Sequence, residues 1–236
     1  MDALSPGRGD SVVDVGCGAG QTLLQLADRV GPEGRVVGVD LAPALLDVAR
    51  ERARDLPQVS LVEADAQTLD VSDGSVDGLF SRFGVMAFSD PCAAFGNLHR
   101  MLRSSGRLAF VCWRALEDNE LDLLPLRAAG LEARADATPF SLADPQRLRT
   151  LLEGVGFRQV SIEAHDEVVS SGDLDDMAAV LLRVGALGKI LRESPHLRTT
   201  AEPRVRAALS GVGNAGRVGL RASTWIVTAR AGGAQA

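Results

Sequence analysis

Lysine is almost missing from this chain: Lys189 is the only one in 236 residues, so arginine carries nearly all of the positive charge. A genome rich in G and C accounts for that preference without a binding role. Cysteine is scarce as well. Cys17, Cys92 and Cys112 have no metal-ligand spacing and are odd in number, which excludes a cysteine metal site or a disulfide framework and suits a reduced cytoplasm. They read as small buried hydrophobes. No apolar run approaches a membrane span, and the opening MDALSPGRGD lacks the pattern of a signal peptide. No region interleaves basic residues with aromatics, which argues against a nucleic-acid partner.

What the chain does have is a hydrophobic content of 46%, enough for one well-cored domain with appendages, and a net charge of −6. The charge is uneven. From Met177 onward nine basic residues face only two acids, Glu193 and Glu202.

The stretch Ser11 to Gln21, SVVDVGCGAGQ, organises the rest. Val12, Val13 and Val15 form a β-branched run suited to a buried parallel strand. Gly16, Gly18 and Gly20 follow at alternate positions, and Thr22 opens a segment with helical spacing of its apolar residues. Strand, glycine loop and helix in that order let a ligand lie against backbone and meet the free N–H groups of the helix. The spacing is G-x-G-x-G, and Gln21 stands where a dinucleotide fingerprint wants its third glycine. Asp14, two residues before the loop, is placed to accept from a ligand ammonium or from the loop's own amides. Cys17 should line the loop.

The βα rhythm continues. Arg35 to Asp40 is a second strand ending in an acid, and Pro43 opens a helix from Ala44 to Asp55. Asp40 lies about 20 residues past the loop, where nucleotide-binding α/β domains hold a ribose. Val59 to Ala64 is a third strand with Asp65-Ala66 at its end, and Val76 to Phe80 a fourth, running into Ser81, Arg82 and Phe83. Strand ends of such a sheet face the binding crevice. Asp90-Pro91 starts a helix with Phe95, Leu98, Met101 and Leu102 on its apolar face and His99 at its boundary. Ser105-Gly106 turns into a fifth strand, Arg107 to Trp113. Beyond it lies a long connection, Ala115 to Phe140, helical near Leu121 to Ala133. Asp144 caps a helix to Glu153, Phe157 to Val169 forms a sixth strand, and Asp173 to about Leu209 is helical with breaks at Pro195 and Pro203. Arg217 to Arg230 is the last strand. The alternation specifies a parallel doubly wound sheet in one domain, residues 1–236, which the last strand can join antiparallel.

VVDVGCGAG, VVGVD, VEADAQTLDVSDGSVDGLFSRFGVM and LHRMLRSSGRLAFVCW, taken together, resemble the class I S-adenosylmethionine (SAM)-dependent methyltransferases, and within them the type-11 group related to ubiquinone/menaquinone C-methyltransferases. The likeness runs from about Leu4 to Val169. It implies a Rossmann-like seven-stranded sheet with one antiparallel strand, and SAM as cofactor. By position, Gly16 and Gly18 would face the methionine portion, Asp40 the ribose with Leu41 beside it, Asp65 and Ala66 the adenine, and Ser81 the sulfonium. Relatives carry an N-terminal helical segment before the first strand. Only about ten residues precede Val12, so a lid is expected from elsewhere or the chain is a shortened form. The turn before the fifth strand reads Ser-Ser-Gly where relatives often have Pro-Gly-Gly.

The implied activity is methyl transfer to a small, mostly apolar metabolite through a carbon or oxygen acceptor. Such a transfer asks the protein mainly to hold two reactants together and exclude water, and no catalytic triad stands out. Segments 115–140 and 170–216, which leave the carboxyl ends of strands, are expected to form a helical cap over the acceptor. Arg82, Phe83, Trp113 and His196 are its candidate contacts, with Phe140 and His165 further off. No metal is implied, and the oligomeric state is not specified. A SAM-binding protein of this fold without methyl transfer is the alternative reading. An NAD-dependent oxidoreductase is disfavoured by Gln21 and by Asp65-Ala66.

Overall fold

In β1 (Ser11–Val15), Val12 and Val13 are wholly inaccessible to solvent. Each such side chain contributes about 1.5–3 kcal/mol relative to its exposed state, so this strand sits where the sheet is covered on both faces. The computed structural model describes residues 1–212 and 216–232. It divides into two compact units: Met1–Cys112, Asp144–Glu163 and Trp225–Ala236 form one, Trp113–Ala143 and Ala164–Thr224 the other.

In the first unit, β1 is followed by α1 (Gln21–Val30), β2 (Arg35–Asp40), α2 (Pro43–Ala53), β3 (Val59–Glu63), β4 (Val76–Arg82), α3 (Pro91–Met101) and β5 (Leu102–Trp113). β1 pairs in parallel with β2 on one side and β4 on the other, with Asp14 opposite Gly38 and Phe80. β2 pairs in parallel with β3, and β4 with β5. Four parallel strands, β1 to β4, therefore end on the same edge. α5 (Pro145–Gly154), β6 (Phe157–Gly172) and β7 (Val218–Ala231) follow, and the sheet order is β3-β2-β1-β4-β5-β7-β6, with one antiparallel region. The seven-stranded, mostly parallel sheet expected from the sequence is present.

Local signals account for several boundaries. Asp90 accepts from the Ala93 amide at 2.9 Å and Asp144 from the amides of Gln146 and Arg147, each ahead of a proline in the first turn. Some expectations fail. Ser105-Gly106 does not precede β5 but lies within it. Its pairing with β4 jumps from Val76 opposite Leu102 to Gly78 opposite Arg107, so the intended turn survives as a bulge. Pro203 does not break a helix and sits inside α8 (Arg198–Ser210), whereas the break at Pro195 is present. His99 is the boundary residue expected: it is half-buried, its ring meets Phe157 edge-on at 5.0 Å, and its Nε2 is buried.

The second unit is built from the two long connections. α4 (Glu120–Ala129) ends earlier than expected, at Gly130, whose φ of 70° and amide bond to Arg127 close the helix. α4 packs with α6 (Leu174–Leu181), α7 (Gly185–Glu193) and α8 around Leu126, Met177, Leu181, Ile190, Val205 and Leu209. The segments 115–140 and 170–216 thus share one apolar core. Residues 213–215 of the second, and 233–236 at the chain's end, lie outside the described residues. No helix among the described residues is long and apolar enough to cross a membrane.

Candidate functional site

A cleft of about 600 Å³ opens at the carboxyl ends of β1 to β4. Its floor is the glycine loop. The amides of Gly16 and Cys17 both donate to the Val39 carbonyl, at 2.8 and 3.0 Å, which pins the loop to β2. The Gly18 amide donates to Oδ2 of Asp40 at 2.7 Å, while Oδ1 of Asp40 accepts from the Ala42 amide at 2.9 Å. Asp40 therefore braces the loop and starts α2 with one carboxylate. Arg52 adds a bond from α2 to the Ala19 carbonyl. α1 has no side-chain cap, which leaves the amides of its first turn for a ligand.

Two glycines are required by contact. A Cβ on Gly16 would stand 2.6 Å from Cα of Gly84, and one on Gly84 would stand 2.4 Å from the Val15 carbonyl oxygen. The Ser81 hydroxyl holds this approach together by donating to Val15 O at 2.7 Å and accepting from the Gly84 amide at 3.2 Å. Gly18 differs: its φ is 53°, and a Cβ there would meet nothing within 4 Å. The cleft thus has a cradle that a side chain would fill.

Most of the residues singled out from the sequence converge here. Gly16, Gly18, Asp40, Leu41, Asp65, Ala66, Arg82 and Phe83 all line the cleft. Leu41 is 66% exposed, an apolar wall without protein cover. Phe83 has a φ of 67°, uncommon for an aromatic residue, and turns its backbone into the Gly84 contact. Three side chains do not line it. Cys17 is buried, with Sγ 3.0 Å from where a Cβ of Gly38 would be; only its backbone belongs to the loop, and burial pushes its thiol up to about 12. Ser81 spends its hydroxyl on the strand-end contact described above. Asp14 accepts from the Thr22 hydroxyl rather than from loop amides. Its Oδ1 is buried without a protein partner, and desolvation pushes its carboxyl up to about 7. Trp113 and His196 belong to the second unit, where His196 is exposed in a short 3-10 turn. Phe140 and His165 belong to it as well.

Other residues in the site were not anticipated. Gly84 and Phe88 line the cleft, as does Gln67, which joins Asp65 to the start of α3. Asn97 donates to the carbonyls of Ala66 and Leu69, both at 3.0 Å, and so fixes the turn after β3. The Phe83-Gly84 pair at a strand end was the one available signal for Gly84. Nothing in the sequence marks Gln67 or Asn97: Gln67 Oε1 meets Ser89 and Asp90, 22 and 23 residues on, and Asn97 meets Ala66 and Leu69, 31 and 28 residues back. Among the described residues, no group of His, Cys, Asp and Glu is arranged to hold a metal ion.

Comparison with known proteins agrees with this geometry. Residues 12–106 match a family described as "Methyltransferase domain". Aklanonic acid methyltransferase DauC of Streptomyces sp. (strain C5) is 35% identical over 112 residues, 47% of this chain and 51% of that protein. A demethylmenaquinone methyltransferase of Listeria welshimeri is 33% identical over 113 residues, 47% and 48% of the two chains. The chain spans about half the length of these curated relatives. The YcgJ protein of Bacillus, 17% identical, superimposes with a TM-score of 0.68 over 97% of this chain and 94% of its own, which establishes the shared fold. Over residues 12–106, then, the chain is similar to the methyltransferase domain family.

Proposed function

We propose that this protein binds SAM in the cleft and transfers its methyl group to a small, mostly apolar metabolite through a carbon or oxygen acceptor. One observation carries the reading: the glycine loop, Asp40 and Asp65-Ala66, from three separate strand ends, line one cleft. The residues fit the cofactor. The open space at Gly18 admits a ligand against backbone, and Asp14 keeps a buried carboxylate oxygen with no protein partner behind the loop.

In this reading Gly16 and Gly18 offer backbone to the methionine portion, and Asp40 uses its remaining lone pairs on the ribose. Leu41 covers the adenine face, while Asp65 and the Ala66 amide meet its edge. SAM, when bound, supplies an electrophilic methyl group on a sulfonium. The chain's own part is to hold the donor, orient the acceptor and exclude water. Arg82 and Phe83 are assigned to the acceptor side. No general base is assigned. The three cysteines are unbridged, in keeping with a cytoplasmic setting.

Parallel calorimetric titrations with SAM, S-adenosylhomocysteine (SAH) and NAD test the proposal. Binding of SAM and SAH that is lost in Asp40→Ala supports it, and an acceptor screen that follows SAM conversion to SAH then separates methyl transfer from binding alone. Binding of NAD in their place would overturn it.

A further inference from the structure

Gln67 is the most fully engaged side chain in the cleft, and no part of the reading above uses it. Its backbone amide donates to Oδ1 of Asp65 at 2.9 Å, and its side-chain Nε2 donates to Oδ2 of the same carboxylate at 2.7 Å. Its Oε1 accepts from the Ser89 hydroxyl at 3.1 Å and from the Asp90 amide at 2.7 Å. The orientation of the amide follows from chemistry. A backbone N–H can only donate, so the Gln67 atom facing Asp90 must be the oxygen, and the nitrogen must face Asp65. Asp90 in turn caps α3 through the Ala93 amide, and the whole chain of bonds is anchored to a helix start.

This arrangement constrains what Asp65 can do. Two N–H groups already point at its two oxygens, so both must present lone pairs there. Its plane is fixed by two bonds on one side, and the lone pairs left over can only accept. Beside it, the Ala66 amide has no hydrogen-bond partner among the described residues and can only donate. The pair therefore displays one acceptor and one donor. A 6-aminopurine edge complements it with an N–H donor and a ring-nitrogen acceptor. A 6-oxopurine edge opposes it at both positions, with oxygen against carboxylate and N–H against N–H.

We propose that Gln67 is the positioning residue that makes this cleft selective for a 6-aminopurine over a 6-oxopurine, by locking the Asp65 carboxylate as an oriented acceptor. The inference rests on the reading in which Asp65 meets the purine edge. Without the side-chain amide only the Gln67 backbone N–H still holds Asp65, so the carboxylate can turn away from the purine edge and the advantage of the 6-aminopurine is lost.

The test is a calorimetric comparison of SAH with S-inosylhomocysteine, its 6-oxo counterpart, on wild type, Gln67→Ala and Gln67→Glu, with thermal melting as the control for folding. Wild type is expected to prefer SAH. In Gln67→Ala the preference should fall about tenfold, as for loss of one bond to a charged group. Most of that fall should come from weaker SAH binding, with S-inosylhomocysteine changed less than about twofold. Gln67→Glu keeps the size of the side chain and replaces the donor by an acceptor, so it should lose the preference without unfolding. A purely structural role would weaken both ligands alike and leave their ratio intact, and that result in either folded variant would overturn the proposal. A wild type that binds neither ligand, or both equally, would instead remove the purine reading of Asp65 and this inference with it.

Discussion

The amide of Gly18 donates to Oδ2 of Asp40 across 22 residues of sequence, and the same carboxylate holds the Ala42 amide with its other oxygen. One side chain therefore sets both the curvature of the glycine loop and the start of α2. Asp40→Asn separates this role from simple presence of a side chain: one of the two amides must then face an NH2 group. SAH affinity should fall about tenfold, the scale of one hydrogen bond to a charged group, with little change in melting temperature. Calorimetric titration of the folded variant checks it, and unchanged affinity would mean that Asp40 does not shape the site.

Gly84 and Gly18 should respond in opposite ways to alanine. At Gly84 the new Cβ would lie 2.4 Å from the Val15 carbonyl oxygen, so backbone must move and stability should fall by about 1–3 kcal/mol or more. At Gly18 there is room, and the left-handed backbone alone costs about 1–2 kcal/mol. The larger effect of Gly18→Ala should be on ligand binding, because the methyl group projects into the open cradle. Denaturant melts together with SAH titrations resolve the two. Equal loss of stability with intact binding in Gly18→Ala would contradict the cradle.

The parallel core was legible because β-branched runs and glycine turns alternate with helix starts, two of them marked by Pro43 and Pro91, along the first hundred residues. Asp40, Asp65 and Ala66 were legible because strand ends in such a sheet converge. Side-chain direction was not. Cys17 and Ser81 occupy the expected backbone positions, yet one packs against Gly38 and the other ties Val15 to Gly84. Gly84, Gln67 and Asn97 each also meet a partner distant in sequence (Gly16, Asp90 and Ala66 respectively), and local spacing carries no trace of those. Pro203 misled for a related reason: the tertiary packing of Val205 and Leu209 outweighs one missing helical N–H.

Asp14 should make stability depend on pH. Burial is the main cause of its rise from an ordinary 3.8 to about 7, opposed by the Thr22 hydroxyl and by Arg82. Between about pH 4 and 7 the native state keeps a proton that the unfolded chain has released, so stability falls as pH rises through that window and levels off above it. Asp14→Asn keeps an acceptor for Thr22 and has no proton to lose. Its stability should exceed that of wild type at pH 8 by a few kcal/mol and match it more closely at pH 5. Urea midpoints at the two pH values check this, and an unaltered slope in the variant would assign the pH dependence to other groups.

The second unit offers a separate test of how the chain is held together. Oδ1 of the buried Asp122, on α4, accepts from the Ala186 amide at 2.8 Å, and α7 has no other side-chain cap at its start. Asp122→Ala should therefore cost about 1–2 kcal/mol, the usual value of a lost cap, and the cost should appear first in α7. Hydrogen exchange followed by mass spectrometry is the suitable measurement. Faster exchange confined to α7 and its neighbours α4 and α8, with β1 and the glycine loop unchanged, would show that the helical core opens independently of the sheet. Faster exchange in β1 as well would mean that both units unfold together, and substitutions in the second unit would then have to be screened for their effect on the cleft.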